Sequence, residues 1–270
     1  MPSYDTKQIR NVILLSHSGA GKTSLSEAAL FFTGAISRLG KVDEGTTTSD
    51  FDPDEIKRKI SISLSLLPCP VKDTKINLLD SPGYADFVGE VIAGLRVAEG
   101  AIVVICAASG VQVGTEQVWR YAEENKMPRF IFINRMDREN ADFYKVLADV
   151  RNKFGQRCVP LQVPIGSQQD FKGVVDLLSN KAFGPGGQEI ANPAIPSQAK
   201  ELREKLVEAA AETDDALITK YLEGTELTLE EIRKGLVAGI RSGKVIPVLV
   251  GSSLKNIGIS SLLDSITFYL

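Results

Sequence analysis

Histidine is nearly missing from this chain: His17 is the only one in 270 residues. One imidazole cannot build a histidine-based metal cluster, and its place inside a small-residue loop suits packing there. Cysteine is scarce as well. Cys69, Cys106 and Cys158 are odd in number and far apart, which suggests neither a disulfide framework nor a zinc site, so they read as small core fillers. No apolar run approaches the roughly 18 residues of a membrane span. The N-terminal stretch Met1-Pro2-Ser3-Tyr4-Asp5-Thr6-Lys7 lacks the apolar core of a signal peptide. A cytoplasmic location and no membrane partner are therefore expected. There is no surplus of basic charge either: the net charge is -3, which argues against holding nucleic acid by bulk electrostatics, and no direct DNA binding is expected. The one compact basic run, Lys57-Arg58-Lys59, reads first as a solvated segment.

What remains, 43% hydrophobic and 24% charged residues, is the composition of an ordinary globular protein. Up to about residue 155, short β-branched or aliphatic runs alternate with helical stretches. That pattern predicts an α/β fold, a mostly parallel sheet with helices on both faces. The expected strands are Asn11 to Leu15, Ile60 to Leu66, Lys75 to Leu79, Ala101 to Cys106, Phe130 to Ile133 and Val245 to Val250. Most are nearly continuous in apolar character, as strands covered on both faces should be.

Between Val163 and Lys244 the character changes. Gly184-Pro185-Gly186-Gly187 and Pro193 to Pro196 mark loops, Leu202, Leu206, Ala209 and Ala210 recur at helical spacing, and Thr228 with Glu231 forms a capping box opening a further helix. Residues 1–162 and 245–270 are thus expected to form one domain, with 163–244 an inserted α+β subdomain, and a closing helix is expected from Ile259 to Tyr269.

The chemistry sits in loops at the ends of the expected strands. Ser16-His17-Ser18-Gly19-Ala20-Gly21-Lys22-Thr23 joins a strand to a helix, where small residues let backbone N-H groups close around phosphates. Lys22 would neutralise phosphate oxygens, Thr23 would coordinate Mg²⁺, and Ser24 is a further nucleotide-binding candidate along with His17, Ser18, Gly19, Ala20 and Gly21. Asp80-Ser81-Pro82-Gly83 comes next. Asp80 could orient Mg²⁺ through water, and Gly83, lacking a Cβ, could offer its N-H to a terminal phosphate.

The third loop, Asn134-Arg135-Met136-Asp137, would read the base. A carboxylate at Asp137 can only accept hydrogen bonds, which suits the ring N1-H and exocyclic amine of guanine and repels the N1 acceptor of adenine. Gly251-Ser252-Ser253-Leu254 could present N-H groups to the guanine carbonyl. Four such loops in this order point to a guanine-nucleotide P-loop fold.

These residues resemble the translational GTPases and, among them, the elongation factor G family. The resemblance runs through Asp86-Phe87-Val88-Gly89-Glu90, Val111-Gln112-Val113, Val163-Pro164-Ile165-Gly166 and Glu204-Lys205-Leu206-Val207-Glu208-Ala209-Ala210, covering essentially the whole chain. It implies a domain that binds GTP or GDP with Mg²⁺, with Thr23, Ser61 and Asp80 around the metal. It also implies that residues 163–244 are the extra subdomain of that family, that further domains follow in a longer parent, and that the parent's partner is the ribosome, in translocation or in subunit separation.

Three departures from the family pattern stand out. The usual first glycine of the phosphate loop aside, where Ser16 stands, Gly19 occupies the place of an aspartate, removing a carboxylate from the γ-phosphate neighbourhood. Ser61 replaces the threonine whose hydroxyl meets Mg²⁺, and it keeps the ligand atom, so nucleotide-dependent ordering of 34–59 is expected to survive. Tyr84 stands where a histidine usually positions the attacking water. A phenol cannot become a cation at cellular pH as an imidazole can, so the resemblance implies a GTPase with altered hydrolysis in which Lys22 and Tyr84 are the catalytic candidates. The competing expectation is a nonhydrolysing, GTP-gated ribosome-binding protein.

Overall fold

The computed structural model describes residues 4–193 and 195–270. Along the first part of the chain come β1 (Ile9–Leu15), α1 (Lys22–Phe32), the one-turn α2 (Pro53–Arg58), β2 (Ser65–Val71), β3 (Thr74–Asp80), α3 (Val88–Leu95), β4 (Gly100–Cys106), α4 (Val113–Glu124), β5 (Arg129–Asn134) and α5 (Phe143–Phe154). Short strands follow: β6 (Cys158–Pro160), β7 (Gln162–Ile165), β8 (Gly173–Asp176), β9 (Ala182–Phe183) and β10 (Glu189–Ile190). Three helices, α6 (Ala199–Ala211), α7 (Asp215–Leu222) and α8 (Leu229–Arg241), lead to β11 (Ile246–Val250) and α9 (Ile259–Tyr269).

Seven strands form one sheet in the order β2-β3-β1-β4-β5-β11-β6. All neighbouring pairs are parallel except β2 with β3. Every residue of β4, β5 and β11 is buried, as expected of central strands whose two faces are both covered by helices. On one side α1 packs on α9 and α9 on α8. Elsewhere α4 and α5 meet through Trp119 and Phe154, whose rings stack with centroids 3.9 Å apart. Because β1, β3, β4, β5 and β11 run in the same direction, their C-terminal ends share one edge, the place where open α/β sheets carry ligands.

The expected strand from Ile60 to Leu66 is displaced. Residues 61–64 are irregular, and β2 runs from Ser65 to Val71 on the sheet's edge, antiparallel to β3. Leu67, Cys69 and Val71 face inward while Leu66, Pro68 and Pro70 face out. Proline has no N-H for a ladder, so an edge strand is where a sheet tolerates it, and that permission hid this strand.

Residues 162–190 carry a second sheet, antiparallel throughout, in the order β10-β9-β8-β7. An α+β subdomain is expected here without placed strands, and the expected loop at 184–187 joins β9 to β10. Thr228 caps α8 as anticipated: its hydroxyl accepts from the Glu231 N-H, and a Glu231 oxygen accepts from the Thr228 N-H at 2.8 Å. Caps of this kind are worth about 1 kcal/mol. Cys69, Cys106 and Cys158 are free and buried, and burial pushes the Cys69 and Cys158 thiols up to about 12, which keeps them inert.

Candidate nucleotide-binding site

At the shared strand edge lies a cavity of about 480 Å³, within the roughly 300–1,000 Å³ of small-molecule sites. Its floor is the loop between β1 and α1. Gly19 and Gly21 adopt left-handed conformations, φ 76° and 95°. Gly21 also has no room for a side chain, since a Cβ there would stand 2.7 Å from Asn134 Nδ2. Lys22, Thr23 and Ser24, at the start of α1, line the cavity, and a helix N-terminus carries a partial positive charge suited to phosphate. Gly19 is exposed at the mouth with nothing within 4 Å of where a Cβ would stand.

Lys22 is buried and donates from Nζ to Ser16 Oγ at 2.7 Å. Burial holds its ammonium down at about 8, opposed by the nearby charges of Asp80 and Asp50. An ammonium in that position is short of solvation and stands ready to exchange a serine hydroxyl for phosphate oxygens.

Beside it the hydroxyls of Thr23 and Ser61 lie 3.1 Å apart, and Ser61 Oγ donates to Asp50 Oδ1 at 2.8 Å. Asp80, at the end of β3, is buried with neither carboxylate oxygen hydrogen-bonded. Thr23 and Ser49 lie close enough to favour its ionised form, but neither meets hydrogen-bond geometry. Burial pushes Asp80 up to about 6 against the pull of Lys22. Among the described residues no three His, Cys, Asp or Glu side chains gather into a protein-only metal cage. Two facing hydroxyls beside an unsatisfied carboxylate suit a cation that takes few protein ligands and fills the rest with water and phosphate, which is how Mg²⁺ is usually held.

Gly83 approaches the phosphate loop closely: a Cβ there would fall 2.8 Å from Lys22 Nζ and 2.9 Å from Ser18 Cα. Ser81 fixes this crossing by donating its hydroxyl to the Leu14 carbonyl at 2.6 Å. Tyr84, next in the chain, lines the cavity and is 45% exposed.

At the other end Asn134 is fully buried and ties three loops together. Its amide donates to the Ala20 and Gly21 carbonyls at 3.3 and 3.2 Å, while its Oδ1 accepts from the Ser253 N-H and hydroxyl at 3.1 and 3.0 Å. The Ser252 hydroxyl donates to Asp137 Oδ1. Arg135, Asp137, Ser253 and the exposed Leu254 line the cavity around this frame.

Of the residues expected from sequence, Ser18, Gly19, Gly21, Lys22, Thr23 and Ser24 line the cavity. So do Ser61, Gly83, Tyr84, Asn134, Arg135, Asp137, Ser253 and Leu254. The other four, His17, Ala20, Asp80 and Ser252, do not. The His17 ring instead lies against Gly114 at the start of α4, where a Cβ would come within 2.5 Å of Nδ1. Ala20 serves through its carbonyl, and Asp80 and Ser252 sit just behind the lining. Asp50 was missed. It lies in a stretch with no motif of its own, yet it lines the cavity and accepts from Ser61.

The parallel sheet, the glycine-turned phosphate loop and the loops that converge on it define a P-loop GTPase domain. The chain belongs to the family described as elongation factor Tu GTP binding domain, which matches residues 7–270, and it is thus the GTP-binding domain of a translational GTPase. It is similar to a protein from Thermus thermophilus of known crystal structure, with a TM-score of 0.91 and 36% identity over 98% of this chain. The chain spans 40% of the length of that protein.

Proposed function

We propose that the chain is the nucleotide module of an elongation factor G-like translation factor. It binds GTP with Mg²⁺, changes conformation between GTP and GDP, and hydrolyses GTP slowly until a ribosome assists. The observation that carries this reading is the convergence of Lys22, Thr23, Ser61, Gly83 and Asp137 on one cavity. Lys22 and the loop N-H groups hold the phosphates, and Thr23 and Ser61 would bind Mg²⁺ directly with Asp80 behind its waters. The ion would supply positive charge against the phosphates. Asp137, braced by Ser252, reads guanine. Residues 163–244 act as an inserted subdomain, and the working location is the cytoplasm.

Tyr84 follows the γ-phosphate sensor Gly83, lines the cavity and stands where a histidine that positions the attacking water is usual. Its hydroxyl can orient that water but cannot add positive charge to the transition state. Positioning and electrostatics from Lys22, Mg²⁺ and backbone N-H groups remain, so hydrolysis is slowed and not abolished. Tyr84 also favours a second reading, a GTP-gated ribosome-binding protein that leaves by nucleotide exchange. Phosphate release by the full-length protein with saturating ribosomes separates the two. The first reading expects ribosome-stimulated turnover that rises in Tyr84→His, and no turnover by the native protein favours the second.

A further inference from the structure

Glu27 lies outside the cavity and is fully buried. It belongs to α1, four residues after Thr23, and so projects from the same helix face one turn deeper. Its Oε2 accepts from the Gly40 N-H at 3.1 Å, and its Oε1 accepts from the Thr48 N-H. Both donors belong to the segment between α1 and β2 that covers the phosphate end of the cavity. The fit is close: a Cβ at Gly40 would come 2.5 Å from Glu27 Oε2 and 2.4 Å from the Thr46 carbonyl.

From Thr48 the chain runs directly to Asp50, which accepts from Ser61, which in turn touches Thr23. Contacts thus close a ring that leaves α1 at Glu27 and returns to it at Thr23. With Gly40 and Thr48 seated on Glu27, Asp50 and Ser61 are held over Thr23; without that seat, the 40–50 stretch has lost its anchor on α1.

We infer that Glu27 is a positioning residue, the latch on α1 that seats the 40–48 segment so that Ser61 reaches the metal side of the nucleotide. The inference rests on the GTP-switch reading above. Because only a γ-phosphate with its Mg²⁺ engages the seated segment, the latch sets preference for GTP over GDP and leaves the phosphate loop untouched. An amide at position 27 would turn one acceptor into a donor facing an N-H group, so Glu27→Gln opposes seating while keeping side-chain volume.

The test uses the full-length protein with Mg²⁺ and either GDP or a nonhydrolysable GTP analogue. Affinities are measured by titration, and trypsin cleavage after Lys41, Arg58 and Lys59, all exposed, reports whether the segment is seated. In Glu27→Gln the analogue is expected to weaken roughly 10- to 100-fold, the effect of losing one hydrogen bond to a carboxylate, while GDP changes no more than about twofold and analogue-dependent protection from trypsin disappears. Gly40→Ala, which crowds the same contact with Glu27 intact, is expected to lose that protection too, and it decides the matter if Glu27→Gln does not fold. Equal weakening of both nucleotides, or variants protected as well as the native protein, overturns the inference alone. A native protein protected no better by the analogue than by GDP overturns the switch reading itself.

Discussion

The hydroxyls of Thr23 and Ser61 stand 3.1 Å apart although 38 residues separate them in sequence. One is fixed by the start of α1, and the other is carried by the segment between α1 and β2. Their meeting brings two ligand atoms to the phosphate end of the cavity. Ser61→Ala is therefore expected to weaken Mg²⁺-dependent binding of a GTP analogue about tenfold, with a smaller effect on GDP, and Ser61→Thr to restore it. Titration with fluorescent nucleotides at fixed Mg²⁺ checks this.

Gly83→Ala should separate GTP from GDP in a different way. Its methyl would meet both Lys22 Nζ and the Ser18 backbone, and only the lysine can move aside. The loop that follows β3 is then pushed away from the phosphate loop. GDP affinity is expected to stay within a few-fold, while the analogue loses its advantage, as calorimetry with both ligands would reveal.

The charged groups of the site predict a bell-shaped pH profile. Burial pushes Asp80 up to about 6 and holds Lys22 down at about 8 in the ligand-free domain. Binding Mg²⁺ and phosphate needs the carboxylate and the ammonium. Below about 6 Asp80 must give up a proton to bind, and above about 8 Lys22 must take one up. Affinity for the Mg²⁺ nucleotide should peak between these values and fall by up to about tenfold per pH unit outside them. Lys22→Arg, whose guanidinium stays charged, should bind more weakly but flatten the alkaline limb.

How far the sequence could be read depended on whether a residue's role is local. The phosphate loop was legible because small residues between an apolar run and a helix have one good use there. The closing helix Ile259–Tyr269 and the α8 cap at Thr228 were legible from periodicity and a capping pair. β2 was misplaced because Pro68 and Pro70 argue against a strand unless it is known to be an edge. An α+β subdomain was legible after residue 163 but its strand positions were not, because these strands are two to four residues long, too short to show alternation. Asp50 and Glu27 carry no local signature. Their partners are Ser61, Gly40 and Thr48, and only the folded chain brings these together.

Asn134 was expected as part of a base reader, and its geometry makes it a brace between loops as well. Asn134→Ala removes acceptors from the buried Ser253 N-H and hydroxyl and the donor to two phosphate-loop carbonyls. Buried groups left unpaired cost about 1–3 kcal/mol, which for a domain of this size lowers the ligand-free Tm by roughly 2–12 °C. Scanning calorimetry without nucleotide isolates this structural share from lost guanine contacts.

A cavity with these loops is expected to hold a guanine nucleotide with Mg²⁺. Competition at equilibrium is the direct measurement: fluorescent GDP bound to the purified protein with Mg²⁺ is challenged with GTP, GDP or ATP. Displacement by GTP and GDP is expected, with none by ATP at a thousandfold excess (on the order of the selectivity that unpaired polar groups impose), and Lys22→Ala is expected to lose tight binding. Displacement by ATP at the same concentrations as GTP would contradict this expectation.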